Sequence, residues 1–66
     1  MRLTLNGETR MVEGAANVAA LVAALGLDRR KVAVERNLEI VPRSAYEGTA
    51  LEDGDRIEIV HFIGGG

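Results

Sequence analysis

Val18, Leu21, Val22 and Leu25 fall at i, i+3, i+4 and i+7, the spacing that puts four apolar side chains on one stripe of a helix. Asn17 stands where an N-cap is needed, Gly26 where the chain must turn away, and alanines fill most of the rest. This is one short helix, and nothing else in 66 residues reads as a partner helix for its stripe. The rest of the chain must therefore supply a sheet. A chain this short buries only about 60% of its unfolded surface, so stability is modest and one domain is the limit. It contains no cysteine, which removes disulfides and Cys/His metal clusters as supports. The core has to be aliphatic, and the 47% hydrophobic content is nearly all Ala, Val, Leu and Ile.

The flanking segments read as strands. Arg2-Leu3-Thr4-Leu5 alternates polar and apolar, and Asn6-Gly7 follows, the pair suited to the positive φ of a tight hairpin turn. The return strand is expected over Thr9 to Glu13, with Val12 rather than Met11 turned inward. After the helix, Asp28-Arg29-Arg30-Lys31 reads as an exposed connection. Val32 to Asn37 is a strand with Val32 and Val34 inward. Ile40-Val41 is a short strand ended by Pro42, and Arg43 to Glu47 is a candidate helical turn. Leu51 anchors a loop that turns at Asp53-Gly54 and leads into Arg56-Ile57-Glu58-Ile59-Val60-His61-Phe62-Ile63, the strongest strand pattern in the chain.

That order predicts an α+β fold: a mixed sheet of four or five strands gripping one main helix. The near-continuous apolar character of the last strand suits the sheet centre, parallel to the first strand. Ile57 and Ile59 share one face and Glu58, Val60 and Phe62 the other. If the helix covers the isoleucines, Val60 and Phe62 form an exposed docking surface; a twist or bulge would turn them inward instead.

Charge divides unevenly along the chain. Residues 1–34 carry five basic and three acidic side chains, whereas residues 35–66 carry three and seven, balances of +2 and −4. The acidic half argues against a nucleic-acid or membrane surface there and is compatible with a basic protein partner, or is ordinary solvated surface. The isolated Arg29-Arg30-Lys31 triplet has no interleaved aromatics to make it a phosphate or nucleic-acid contact. No apolar run approaches a membrane span and no signal pattern precedes the first strand, so a cytoplasmic protein is expected.

Catalytic inventory is poor. Ser44 has no evident base beside it, and His61 is the single histidine, without further ligands at metal-binding spacing. The sequence predicts a protein that works with partner enzymes rather than an enzyme. Residues 1–63 read as the folded domain and Gly64-Gly65-Gly66 as a flexible tail. A terminal glycine run is compatible with mere filler. It is also the narrowest thread a chain can make, carrying only backbone amides and the Gly66 carboxylate.

Asn37, Ile40-Val41-Pro42-Arg43, Leu51, Asp53-Gly54-Asp55, Ile57-Glu58-Ile59-Val60 and Gly64-Gly65-Gly66 together resemble the ThiS family, the small sulfur carriers of thiamine biosynthesis. The likeness spans nearly the whole chain and is most specific from Val32 onward. It implies a ubiquitin-like β-grasp fold. It also implies that an E1-like enzyme uses ATP and Mg²⁺ to adenylate the Gly66 carboxylate. A cysteine desulfurase relay or related donor then replaces AMP with sulfur, and the thiocarboxylate supplies thiazole synthase. No cofactor bound to the carrier itself is implied. Without cysteine the chain has no side chain for a persulfide, which leaves the carboxylate as the attachment point. The small subunit of molybdopterin synthase is the nearest alternative in chemistry. A ubiquitin-like protein modifier and a β-grasp binding module with an incidental tail are further ones.

Overall fold

The computed structural model describes residues 1–62. Five strands and one helix are present among them: β1 (Arg2–Leu5), β2 (Glu8–Met11), α1 (Val18–Ala24), β3 (Val32–Arg36), β4 (Glu39–Val41) and β5 (Arg56–His61). Two short 3₁₀ turns, Arg29–Lys31 and Arg43–Ala45, lie in the connections. The sheet order is β2-β1-β5-β3-β4. β5 is the centre, parallel to β1 and antiparallel to β3, and the two outer pairs are antiparallel hairpins. The arrangement is the mixed sheet on one helix expected from the residue pattern, and the β-grasp implied by the family resemblance.

The helix ends where its caps place them. Asn17 Oδ1 accepts from the Ala20 N–H at 2.8 Å. At the other end Gly26 takes φ +73°, and the Gly26 and Leu27 N–H groups donate to the Ala23 and Val22 carbonyls. That pair of bonds satisfies two carbonyls the helix would otherwise leave open. Ala24 is the last helical residue, with Leu25 as C-cap rather than inside the helix. The Asn17 side chain also donates to the Glu47 carbonyl, and the Val18 N–H to Thr49, which ties the helix start to the loop before β5.

Val18, Leu21 and Val22 lie against Leu3, Leu5, Val32, Val34, Ile57 and Ile59, all buried. Each large aliphatic side chain so enclosed contributes roughly 1.5–3 kcal/mol relative to exposure. The return strand is shorter than its pattern suggested. β2 stops at Met11, which is exposed, while Val12 just beyond it packs partly on the core. Tyr46 is the member of the core that the residue pattern does not reveal. It follows a 3₁₀ turn, is 1% exposed, and brings its hydroxyl to 3.5 Å from the Val32 carbonyl.

Arg29 covers Tyr46, its guanidinium 5.3 Å from the ring centroid, and donates to both Glu47 carboxylate oxygens at 2.6 and 2.9 Å. These hydrogen bonds hold the Glu47 carboxyl at about 2. The basic triplet is thus not all solvated loop, because Arg29 clamps one connection onto another.

Candidate functional site

β5 carries both the centre of the core and the route to the chain end, so what fixes β5 fixes the site. Two asparagines hold it from opposite sides. Asn6 and Gly7 form the tight turn between β1 and β2, with φ +50° and +82°. The Asn6 N–H still donates to the Ile57 carbonyl at 2.9 Å, and from there the Asn6 side chain extends the ladder by one more step. The Ile59 N–H donates to Asn6 Oδ1 at 2.8 Å, and Asn6 Nδ2 donates to the Ile59 carbonyl at 3.3 Å. An amide side chain here imitates one more residue of parallel strand.

On the other side Asn37 and Leu38 make a second two-residue turn, between β3 and β4, with φ +52° and +72°. The Asn37 N–H donates to the Arg56 carbonyl at 2.8 Å, and the Arg56 N–H donates to Asn37 Oδ1 at 2.9 Å. Asn37 Nδ2 reaches Asp55 Oδ1 at 3.0 Å. Asp55 is 6% exposed and also accepts from Arg36 Nε and the Glu52 N–H, each at 2.8 Å. Burial alone would push its carboxyl up, but the hydrogen bonds from Arg36, Glu52 and Asn37 outweigh that and hold it below its usual value.

With β5 so fixed, its side chains alternate. Ile57 and Ile59 point to α1, while Glu58, Val60 and Phe62 point to the open face. Val60 is 60% and Phe62 50% exposed, so the register places both expected docking residues in solvent. The strand pairing adds residues that the sequence pattern did not gather. Ala33 stands opposite Val60, Glu35 opposite Glu58, and Ile40, 74% exposed, opposite Glu35. The face is therefore an apolar patch of Ile40, Ala33, Val60 and Phe62 with two carboxylates set into it. Ile40 was missed as a surface residue because a three-residue edge strand gives no alternation from which to read its face.

His61 pairs with Val32 at the end of β5 and is exposed. The described residues contain no cluster of three or more metal-ligating side chains. A cleft of about 180 Å³ lies beside β4 between Arg36, Ile40, Pro42 and Thr49, below the size range of small-molecule sites. No helix among the described residues is long and apolar enough to cross a membrane. Gly64, Gly65 and Gly66, expected to be the tail and its reactive end, lie outside the described residues.

The sequence model of the ThiS family matches residues 3–66. The chain belongs to the ThiS family. A sulfur carrier protein ThiS from Bacillus subtilis is 42% identical over 65 residues, covering 97% of this chain and 98% of that protein. A thiamine biosynthesis protein, ThiS, from Geobacter metallireducens has a crystal structure that matches with TM-score 0.84 at 42% identity, over the full length of both chains. The fold is the ubiquitin-like β-grasp of that family. A thiazole synthase from Paramagnetospirillum magneticum is 59% identical over all 66 residues. The chain spans only 20% of that protein's length, so a ThiS segment there belongs to a much longer polypeptide.

Proposed function

We propose that this chain is a sulfur carrier of thiamine biosynthesis and that the Gly66 carboxylate is the group it delivers. The observation that carries the proposal is the ThiS family match over residues 3–66, which runs through the terminal glycines, together with end-to-end likeness to a carrier of the same length. The chemistry agrees with it. A carboxylate is inert toward sulfur nucleophiles, so its oxygen must first become part of a leaving group. Attack of the carboxylate on the α-phosphate of ATP, with loss of pyrophosphate, gives an acyl adenylate. A sulfur nucleophile then displaces AMP. The activating E1-like enzyme supplies ATP, Mg²⁺ and the charges that stabilise that step. Glycine at the reacting carbon leaves the approach unobstructed. The sulfur passes from the thiocarboxylate to thiazole synthase, a partner suggested by the relatives in which a ThiS segment and a thiazole synthase share one polypeptide. A cysteine desulfurase relay is the proposed source of sulfur: its persulfide displaces AMP to give an acyl disulfide, and a thiol cleaves that bond, leaving the thiocarboxylate and a disulfide.

In this reading Gly64-Gly65-Gly66 is the arm, β5 its mount, and Val60 with Phe62 the surface that seats the carrier on its partners. The chain contributes position, and its partners contribute catalysis.

The test is a mass measurement. Incubated with the activating enzyme, ATP and a sulfur source, the protein gains the mass of one oxygen-to-sulfur exchange, located at Gly66. Deleting Gly66, or adding residues after it, abolishes the gain while the fold persists. A label found on a side chain, or a native protein ending elsewhere than Gly66, overturns the proposal. For the docking surface, Phe62→Ala weakens partner binding while the melting temperature barely moves; the reverse pattern assigns Phe62 to the core.

A further inference from the structure

Glu35 and Glu58 face each other across β3 and β5 in the middle of the open face. Directly opposed residues in an antiparallel pair stand about 4.5–5.5 Å apart at Cα, and like charges in that position destabilise a sheet. Neither carboxylate has an ion-pair partner among the described residues. Arg36, next to Glu35 in sequence, points to the other side and is held by Asp55 and Glu52. Arg56 shares the face but stands beside Thr4 of β1, and Lys31 lies at the far end beside Phe62, bonded to it through the backbone. The pair is bordered by Ile40 on one flank and by the Ala33–Val60 pair in the next row.

A sheet face that opposes two carboxylates and borders them on two sides with exposed apolar side chains is unfavourable when bare, and it complements a cation delivered in a partly apolar setting. We propose that Glu35 and Glu58 together receive one cationic side chain of the partner protein, an arginine by preference, set among apolar residues that cover Ile40, Val60 and Phe62. The planar guanidinium can donate to both carboxylates at once, which a lysine ammonium does with less directionality. The net −4 of residues 35–66 favours approach of such a surface. The inference rests on the docking reading of Val60 and Phe62 and adds the chemistry of the surface that meets them.

The test uses purified thiazole synthase as the probe and measures its dissociation constant for the carrier by calorimetry at low and high salt. The double variant Glu35→Gln, Glu58→Gln is expected to bind about tenfold more weakly at low salt and to lose most of the salt dependence. Its melting temperature rises by about 1–5 °C, because a repulsion has been removed. Weaker binding by a more stable protein is a result that a purely structural role does not produce. Unchanged or tighter binding overturns the inference. If the double variant binds normally while Val60→Ala and Phe62→Ala bind weakly, the docking reading survives and the charge reading fails. If the wild-type protein does not bind, or none of the variants differs from it, both fail.

Discussion

The two hairpins of this fold are built alike and serve the central strand differently. Each has a two-residue loop that begins with asparagine at positive φ, and each asparagine bonds with its side chain to β5. Asn6 works without other side chains, its N–H on the Ile57 carbonyl and its amide on Ile59. Asn37 works through a network, because its amide also supports Asp55, which gathers Arg36 and the Glu52 N–H. Their second residues differ as well. Gly7 adopts φ +82° at no steric cost, whereas Leu38 holds φ +72° while 71% exposed. One hairpin is fastened by a single bidentate clip on unstrained backbone. The other is fastened by a network around one buried carboxylate, Asp55, and carries local strain at its tip.

Breaking the network is expected to have the largest effect. Asp55→Ala removes the acceptor for Arg36, Asn37 and the Glu52 N–H, and costs about 2–3 kcal/mol in denaturant unfolding. This interaction has a definite pH signature. Asp55 is depressed in the folded protein, so its stabilisation is complete above the unfolded carboxyl value of 3.8 and disappears as pH falls through the lower folded value. The stability gap between wild type and Asp55→Ala therefore narrows in acid below 3.8 and is constant near neutrality.

Asn6→Ala should come next, at about 2 kcal/mol, from two lost hydrogen bonds and an alanine forced into positive φ. The loss is local, and it is checked by amide exchange. The Ile59 N–H should exchange faster than its neighbours in β5, whereas Asp55→Ala should leave it protected up to global unfolding. Equal acceleration along the whole strand would mean that the Asn6 clip is not a separate element.

The smallest effect has the opposite sign. Leu38→Gly relieves an unfavourable backbone conformation at an exposed site and is expected to add about 0.5–1 kcal/mol, after the entropy that glycine gains in the unfolded chain. A loss of stability there would show that the Leu38 side chain packs well enough to outweigh its backbone strain.

The contrast also explains what could be read from residues alone. Asn6-Gly7 announces its turn because both residues favour positive φ, and the capped helix and the alternating β5 announce themselves by period. Asn37-Leu38 forms the same kind of turn without glycine, so only tertiary structure exposes it. Tyr46 and Asp55 were hidden for a related reason. A tyrosine after a proline-led turn and an aspartate in an Asp-Gly-Asp loop both look solvated until distant partners, Arg29 for one and Arg36 with Asn37 for the other, close over them. On the open face, alternation along one strand put Val60 and Phe62 on a shared side, and the structure decides that this side is the exposed one. Their neighbours Ala33, Glu35 and Ile40 required the pairing register, which sequence period does not determine.

The central place of β5 has a consequence for the order in which the molecule can assemble. The strand that joins the two hairpins is the last of those described, and its partner β1 lies more than fifty residues earlier, as in the Thr4–Arg56 pair. Each hairpin can form as soon as its own residues are made, but the sheet cannot close before residue 61 is available. Nearly all the loop-closure entropy therefore falls in one late step. Until then neither hairpin, nor the seven-residue helix, has a completed core to pack on, and alone each is marginal. Folding of this domain reports that synthesis has passed β5.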